Sequence, residues 1–312
     1  MTIRIRELRA ADLDAAERVR RLAFGTLFGL PDPLSFRADA DLFRARLWSF
    51  PDGGFLAEED GHIIGVAMAT HWGSLGLFGP LAIHPEHWNQ GIAHQLLAAT
   101  MPVFARWTNR LVGLFTFPER PSHVRLYQEF GFWPRHLTAI MAKPVGAPDA
   151  ASDALSLAAD PSQRAALLKE CRTLTDSIYA GLDLSREAEA VATFGLGDVI
   201  LLARDSRIEA FAICHCGKGS EGGSASCYIK YGQIRSGPNA PVLLARLLAA
   251  CNDFAHRRGA TQLSLGVNIG RMAAYRSLIE PGFRTTLEGV AMHRPWSEAY
   301  DQPEIFAFDD WR

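Results

Sequence analysis

The sequence predicts an α/β chain made of two tandem units of similar plan. Its 312 residues give a length prior of about two domains. Short apolar strands alternate with amphipathic helical stretches throughout. The pattern also repeats after about one domain length. Asp60-Gly61 before an apolar strand is echoed by Asp205-Ser206 before IEAFAI, and Gly131-Phe132 is echoed by Gly282-Phe283. The units are read as residues 1–143 and 157–312. The aperiodic stretch PVGAPDAASDALS, 144–156, forms a linker.

In chain order, Ile3-Arg4-Ile5-Arg6 alternates as a first strand. Asp12 opens a helix with Leu13, Ala16, Val19 and Leu22 at helical spacing. After the loop GLPDPLS, Asp39 to Trp48 forms a second amphipathic helix. Phe55-Leu56-Ala57 and Ile63 to Ala69 pair across the turn Asp60-Gly61. Leu81-Ala82-Ile83 is a strand that ends in a loop holding Pro85 and Asn89. Gly91-Ile92-Ala93 then opens a helix with Ile92, Leu96, Leu97 and Met101 on one face. Pro102 is expected to kink or end it. Val112 to Phe117 is a strand, 119–132 a helix closing at Gly131, and Thr138 to Met141 part of the strand after it. In the second unit the patterns give a helix over 185–192, a strand over 199–203, a strand in SCYIKYGQI (226–234), a helix over 242–254 and a strand over 263–267.

Composition is that of an ordinary globular chain, 48% hydrophobic and 21% charged. A net charge of -2 argues against nucleic acid or an anionic membrane as the main partner. No apolar run approaches the ~18–20 residues of a membrane helix. The N-terminal residues MTIRIRELRAADLD alternate in charge and lack an apolar signal core. The five cysteines, an odd count without a signal peptide, read as reduced thiols, and the expected location is cytoplasmic. Cys214-His215-Cys216 with Cys227 admits a metal reading. The alternation along FAICHC and the missing Cys-x-x-Cys spacing favour packing thiols, and no metal is expected.

The stretch GPLAIHPEHWNQGIAHQLL, 79–97, is the most informative. A strand feeding a helix through a small-residue loop directs backbone N–H groups and the positive end of the helix dipole outward, a natural anion site. Small residues at Gly91 and Ala93 let a bulky pyrophosphate approach the backbone. The stretch resembles the acetyl-CoA motif of the GNAT superfamily of N-acyltransferases, a strand ending in Val-x-Pro followed by Arg/Gln-x-x-Gly-x-Gly/Ala. Ile83-His84-Pro85, Gly91 and Ala93 match, while Trp88 stands in the Arg/Gln position. Tyr127 and Gly131-Phe132 match the family's later Leu-Tyr and Gly-Phe, and the second unit resembles the family more weakly.

The resemblance implies two GNAT-like domains, each a mixed, mostly antiparallel sheet flanked by helices. It implies acetyl transfer from acetyl-CoA to an amine of a small molecule or peptide. Leu81, Ala82 and Ile83 would pair with the pantetheine arm. The loop and helix start at Asn89, Gln90, Gly91, Ile92 and Ala93 would hold the pyrophosphate, and Tyr127 would protonate the leaving thiolate. Many family members use a carboxylate base near the central strand, yet Leu75 to Ile83 has no ionisable residue. His71 is the nearest group titrating near neutrality, and a water relay is equally open. Trp72, Phe24 and Phe28 are candidate walls of an acceptor pocket, with apolar core as the alternative. In the second unit Pro238 and Pro241 delete donors from the matching loop, and Tyr275 is out of step with Gly282. The first unit is therefore expected to be the active one. The other class of reading is an acyl-CoA-binding or regulatory protein without turnover.

Overall fold

The computed structural model describes residues 3–148 and 153–312. The first half runs β1 (Arg4–Glu7), α1 (Leu13–Leu27), α2 (Phe43–Ser49), β2 (Gly54–Glu59), β3 (His62–Trp72), β4 (Leu75–Ile83), α3 (Ile92–Arg106), β5 (Leu111–Thr116), α4 (Pro121–Glu129) and β6 (Trp133–Pro144). The second repeats that order: β7 (Leu155–Ser156), α5 (Arg164–Asp176), α6 (Ser185–Thr193), β8 (Gly197–Arg204), β9 (Arg207–Gly217), β10 (Gly223–Ile234), α7 (Ala240–Arg257), β11 (Gln262–Asn268), α8 (Met272–Ile279) and β12 (Arg284–Arg294). A last strand, β13 (Ala307–Phe308), follows. Of the linker, 149–152 lie outside the described residues. Its ends are anchored: β6 reaches Pro144, Val145 and Gly146 donate to Thr261 and Asn252, and β7 begins at Leu155.

The two halves share one sheet, ordered β1-β2-β3-β4-β5-β12-β6-β11-β10-β9-β8-β7. It is mixed and mostly antiparallel. The parallel pairs are β4 with β5 and β10 with β11. Its centre is an exchange. The last strand of the second half, β12, pairs with β5, and the last strand of the first half, β6, pairs with β11. The two exchanged strands also pair with each other. The arrangement is pseudo-twofold about the β12–β6 contact.

In the first half, α1 and α2 cover one face through Leu13, Ala16, Val19 and Phe43, packed on Leu56, Val66 and Met68. The other face carries α3 and α4, whose Leu96, Leu97, Phe104 and Tyr127 bury against Ala67, Phe78 and Leu114. Each fully buried leucine contributes about 1.5–3 kcal/mol. Pro102 does not end α3, which runs on to Arg106. Pro102 and Ala98, whose carbonyl loses its partner, are both exposed, so the break falls on the solvent side of the helix while the buried face continues through Val103 and Phe104. Asp12 belongs to a short 3-10 turn ahead of α1, and the second helix starts only at Phe43, because residues 37–41 dock on the second half. There Asp41 N–H donates to the Ser220 carbonyl and Gly219 N–H to the Asp39 carbonyl. Among the described residues no helix is long and apolar enough to cross a membrane.

Candidate active site

β4 and β5 run side by side only from Leu75↔Leu111 to Leu77↔Gly113, and then part. Beyond that point β4 keeps β3 on one side, with Leu81↔Ala67, Ala82↔Val66 and Ile83↔Gly65, while its β5-facing side opens into a wedge. One acceptor near its mouth is already taken: the Trp88 indole N–H donates to the Ile83 carbonyl at 2.8 Å.

At the wide end, the chain turns through Asn89 (φ 62) and Gly91 (φ 75), both left-handed, and Gly91 caps α3. A Cβ built on Gly91 meets nothing within 4 Å, so the glycine answers to its backbone conformation and to open space in front of it. The first intrahelical bond is Gln95 N–H to the Gly91 carbonyl. The N–H groups from Asn89 through His94 have no acceptor among the described residues. No acidic side chain sits in the first turn of α3 to compete for them. Asn89, Gln90, Gly91, Ile92 and Ala93 thus present a row of free donors at the positive end of a 15-residue helix, a fit for a pyrophosphate.

At the narrow end stands Tyr127, on the inner face of α4 and 8% exposed. Its ring lies edge-on to Phe78 at 6.1 Å and to Phe132 at 6.3 Å. Phe78 is the first β4 residue beyond the parallel ladder, so the phenol is held where the strands part. Burial pushes its pKa above the ordinary tyrosine range, so it is protonated at neutral pH.

His71 lies elsewhere. On β3, it pairs with Gly76 of β4, behind the closed part of the ladder. Its ring packs on Trp107 at 5.1 Å and on Phe50, and its Nδ1 lies 3.0 Å from the Asn109 amide nitrogen. Burial, together with the Arg186 charge, lowers its pKa and favours the neutral ring. No hydrogen bond joins it to Tyr127 among the described residues. Trp72 is core, 1% exposed, with its indole N–H toward Glu187. Phe24 and Phe28 both stack on Phe36, and Phe28 meets Phe117, just past β5, edge-on at 5.6 Å.

The chain's distant parts complete this site, and no local pattern marked them. Arg46 on α2 donates to the Gly79 carbonyl and the Arg312 carbonyl, and forms a two-bond pair with Glu221 of the second half. Glu221, Glu187 and His215 bring their ligand atoms within 4.8 Å of one another. The Lys230 ammonium bonds both carboxylates there, at 2.5 and 2.8 Å. Strand alternation puts His215 on the opposite face from Cys214 and Cys216, so the Cys-His-Cys run cannot converge on one ion. Cys214, Cys216, Cys227 and Cys251 are free thiols in the core under α7.

The equivalent wedge of the second half is filled by the chain's own tail. There β10 and β11 part after Ile229↔Leu265. Counted from Leu77 and Ile229, the last parallel positions, Gln233 takes the place of Leu81. β13 pairs antiparallel with Gly232 and Gln233, and Ile234 N–H donates to the Phe306 carbonyl. Asp310 crowds Gly266 on β11 and accepts from the Tyr228 hydroxyl at 2.9 Å. The adjoining loop is also poor in donors: Pro238 and Pro241 have none, and Ala240 N–H is spent on the Gly237 carbonyl. Leu278, fully buried, stands where Tyr127 stands in the first half. The tail then crosses over, laying Trp311 on Gly113 and Arg312 beside Gly79, at the parting point of the first wedge.

A parted parallel strand pair, a donor-rich helix start at its mouth and a buried phenol at its apex meet in one wedge of the first half. Residues 22–132 match the model of the Acetyltransferase (GNAT) family. No curated protein matches the sequence. Among solved structures, a Pyrococcus horikoshii protein assigned to the acetyltransferases aligns over 99% of this chain and 95% of its own at TM-score 0.70 and 14% identity. A GCN5-related N-acetyltransferase from Sphaerobacter thermophilus covers 94% and 95% at TM-score 0.58 and 15% identity. A tandem GNAT protein from the clavulanic acid biosynthesis pathway covers 94% and 98% at TM-score 0.56 and 12% identity. At these identities the likeness is one of fold, and it extends over both halves.

Proposed function

We propose that this chain moves an acetyl group from acetyl-CoA to an amine of a small molecule or peptide, that the first half performs the reaction, and that the second half binds no cofactor. The carrying observation is the pairing of free donors at Asn89–His94 with the buried Tyr127 phenol along one open wedge. In this reading the row of N–H groups holds the pyrophosphate. The free edge of Leu81 and Ala82 aligns the pantetheine arm, and Tyr127 gives its proton to the departing sulfur. His71, neutral and so able to accept a proton, is the base candidate on that property alone; its place behind the ladder favours a water relay as the last link to the amine. The five buried free thiols suit the cytoplasm. The test is release of coenzyme A from acetyl-CoA over a panel of amines. Cleavage that depends on the amine supports transfer. Tight binding without cleavage would favour the second reading, an acyl-CoA-binding protein, for which Trp88 in the Arg/Gln position and the acid-free β4 speak.

Two outcomes follow from the wedges. One acetyl-CoA should bind per chain, because the tail takes the backbone of Gly232 and Gln233; calorimetry finding two comparable sites would refute this. Gly91→Val should weaken acetyl-CoA binding on the order of 100-fold, through a β-branched residue at φ 75 and lost charge-assisted hydrogen bonds. Unchanged affinity in a folded variant would remove the pyrophosphate from this turn.

A further inference from the structure

We infer that the acceptor carries an anionic group, a carboxylate or phosphate, bound by a cluster of arginines on the α1 side of the wedge. This rests on the acetyl-transfer reading and names the class of its second substrate. Arg20 on α1 is 1% exposed. Its Nε bonds Glu17 at 2.7 Å, but its Nη2 is buried with no partner, and its guanidinium lies over the Phe36 ring at 5.7 Å. Phe36 is the centre of the aromatic stack with Phe24 and Phe28. Arg37, next in the chain, forms no ion pair among the described residues; the one hydrogen bond of its guanidinium among them is long, 3.4 Å, to the Glu221 carbonyl. Arg37 itself is exposed, and it lies close enough to Arg312 and Arg20 to feel both charges. Arg312 pairs with Asp310 at 2.7 Å, yet its Nε is buried and unpartnered.

Glu17 and Asp310 are committed to Arg20 and Arg312, and Glu221 is engaged by Arg46 and Lys230. The Arg20 and Arg312 guanidiniums keep buried N–H donors without partners, which is costly in a low-dielectric setting. A planar or tetrahedral oxyanion suits guanidinium geometry. The cofactor's own pyrophosphate is a poor occupant. Arg312 sits beside Gly79, whereas the free donors begin beyond Ile83, about 13 Å farther along β4 at ~3.3 Å per residue. An acceptor whose anion rests on these arginines has its apolar part against Phe36 and Phe28 and its amine toward Gly79, where the wedge opens.

The test compares matched amines: an amino acid with its amide, and an amino-sugar phosphate with the free amino sugar. The anionic member of at least one pair should show kcat/KM ~10–100-fold higher, and which pair responds separates carboxylate from phosphate. Arg37→Gln should erase that preference through KM while acetyl-CoA affinity holds. Equal rates within both pairs, preference for the neutral members, or loss of acetyl-CoA binding in Arg37→Gln would overturn the inference. Should no amine be acetylated, calorimetry with malonate and with inorganic phosphate decides the site separately from the activity. Binding weakened in both Arg37→Gln and Arg312→Gln supports it; absent or unaltered binding overturns it.

Discussion

Tyr127→Phe should lower kcat by ~10²–10⁴-fold at saturating acetyl-CoA, the usual worth of a positioned general acid. The substitution removes one oxygen and keeps the ring edge-on to Phe78 and Phe132, so the melting temperature and acetyl-CoA affinity should barely move. Two further readouts separate an acid from a packing ring. Burial raises the Tyr127 pKa, so the phenol stays protonated across neutral pH, and turnover should show no alkaline loss assignable to it below about pH 10. His71 has a lowered pKa, so if it accepts the amine's proton the acid limb lies below its ordinary ~6.5 and vanishes in His71→Ala. An acid limb that survives in His71→Ala belongs to another titrating group, the substrate amine included, and takes the base role from His71. A fully active Tyr127→Phe enzyme would move the acid role to another donor.

Glu221→Gln should cost about 3–5 kcal/mol of stability, a large part of a typical 5–15 kcal/mol. Glu221 accepts from Arg46 Nε and Nη2 at 2.8 and 2.7 Å and from Lys230 Nζ at 2.5 Å, all in the interior. Removing its charge strands two cations that now share only Glu187. It also frees Arg46, which tethers Gly79 and Arg312 at the wedge. Urea midpoints give the number. Adding Lys230→Met to Glu221→Gln restores the charge balance and should recover much of the loss. A shift of under about 0.5 kcal/mol would mean the pair is replaceable by water or repacking. The pH dependence has a defined sign. Burial opposes ionisation of Glu221, but Arg46 and Lys230 outweigh it and hold the carboxyl well below its ordinary value. Its contribution is therefore complete above the unfolded value near ~4.3 and is lost as pH falls toward the folded one. Glu221→Gln should flatten that acid-side slope.

Residues acting through their immediate neighbours were readable in the chain. Asn89 and Gly91 were read as the breaks between a strand and a helix, and the chain turns there, both with positive φ. Leu96 and Leu97 had to face the sheet, and they are fully buried. Asp60, the first turn residue between β2 and β3, does take a positive φ. Pro102 shows the limit: its missing N–H is a local property, but whether the loss matters depends on which face of α3 meets water.

The amino-acid order alone set the succession of strands and helices, their repetition in two halves, the donor-rich helix start and the proline-poisoned second loop. These follow from side-chain period, capping and the N–H that proline lacks, all properties of neighbouring residues. Folding in three dimensions chose the partners. An apolar strand edge carries no address, so nothing in β6 or β12 announces that each would pair with the other half's penultimate strand, or that Ala307–Phe308 would enter the second wedge. The arginines are of the same kind. Arg20, Arg37 and Arg312 are single charges scattered through the sequence, and they come together because the tail crosses to the first half, where Arg20 and Arg312 keep buried donors without partners.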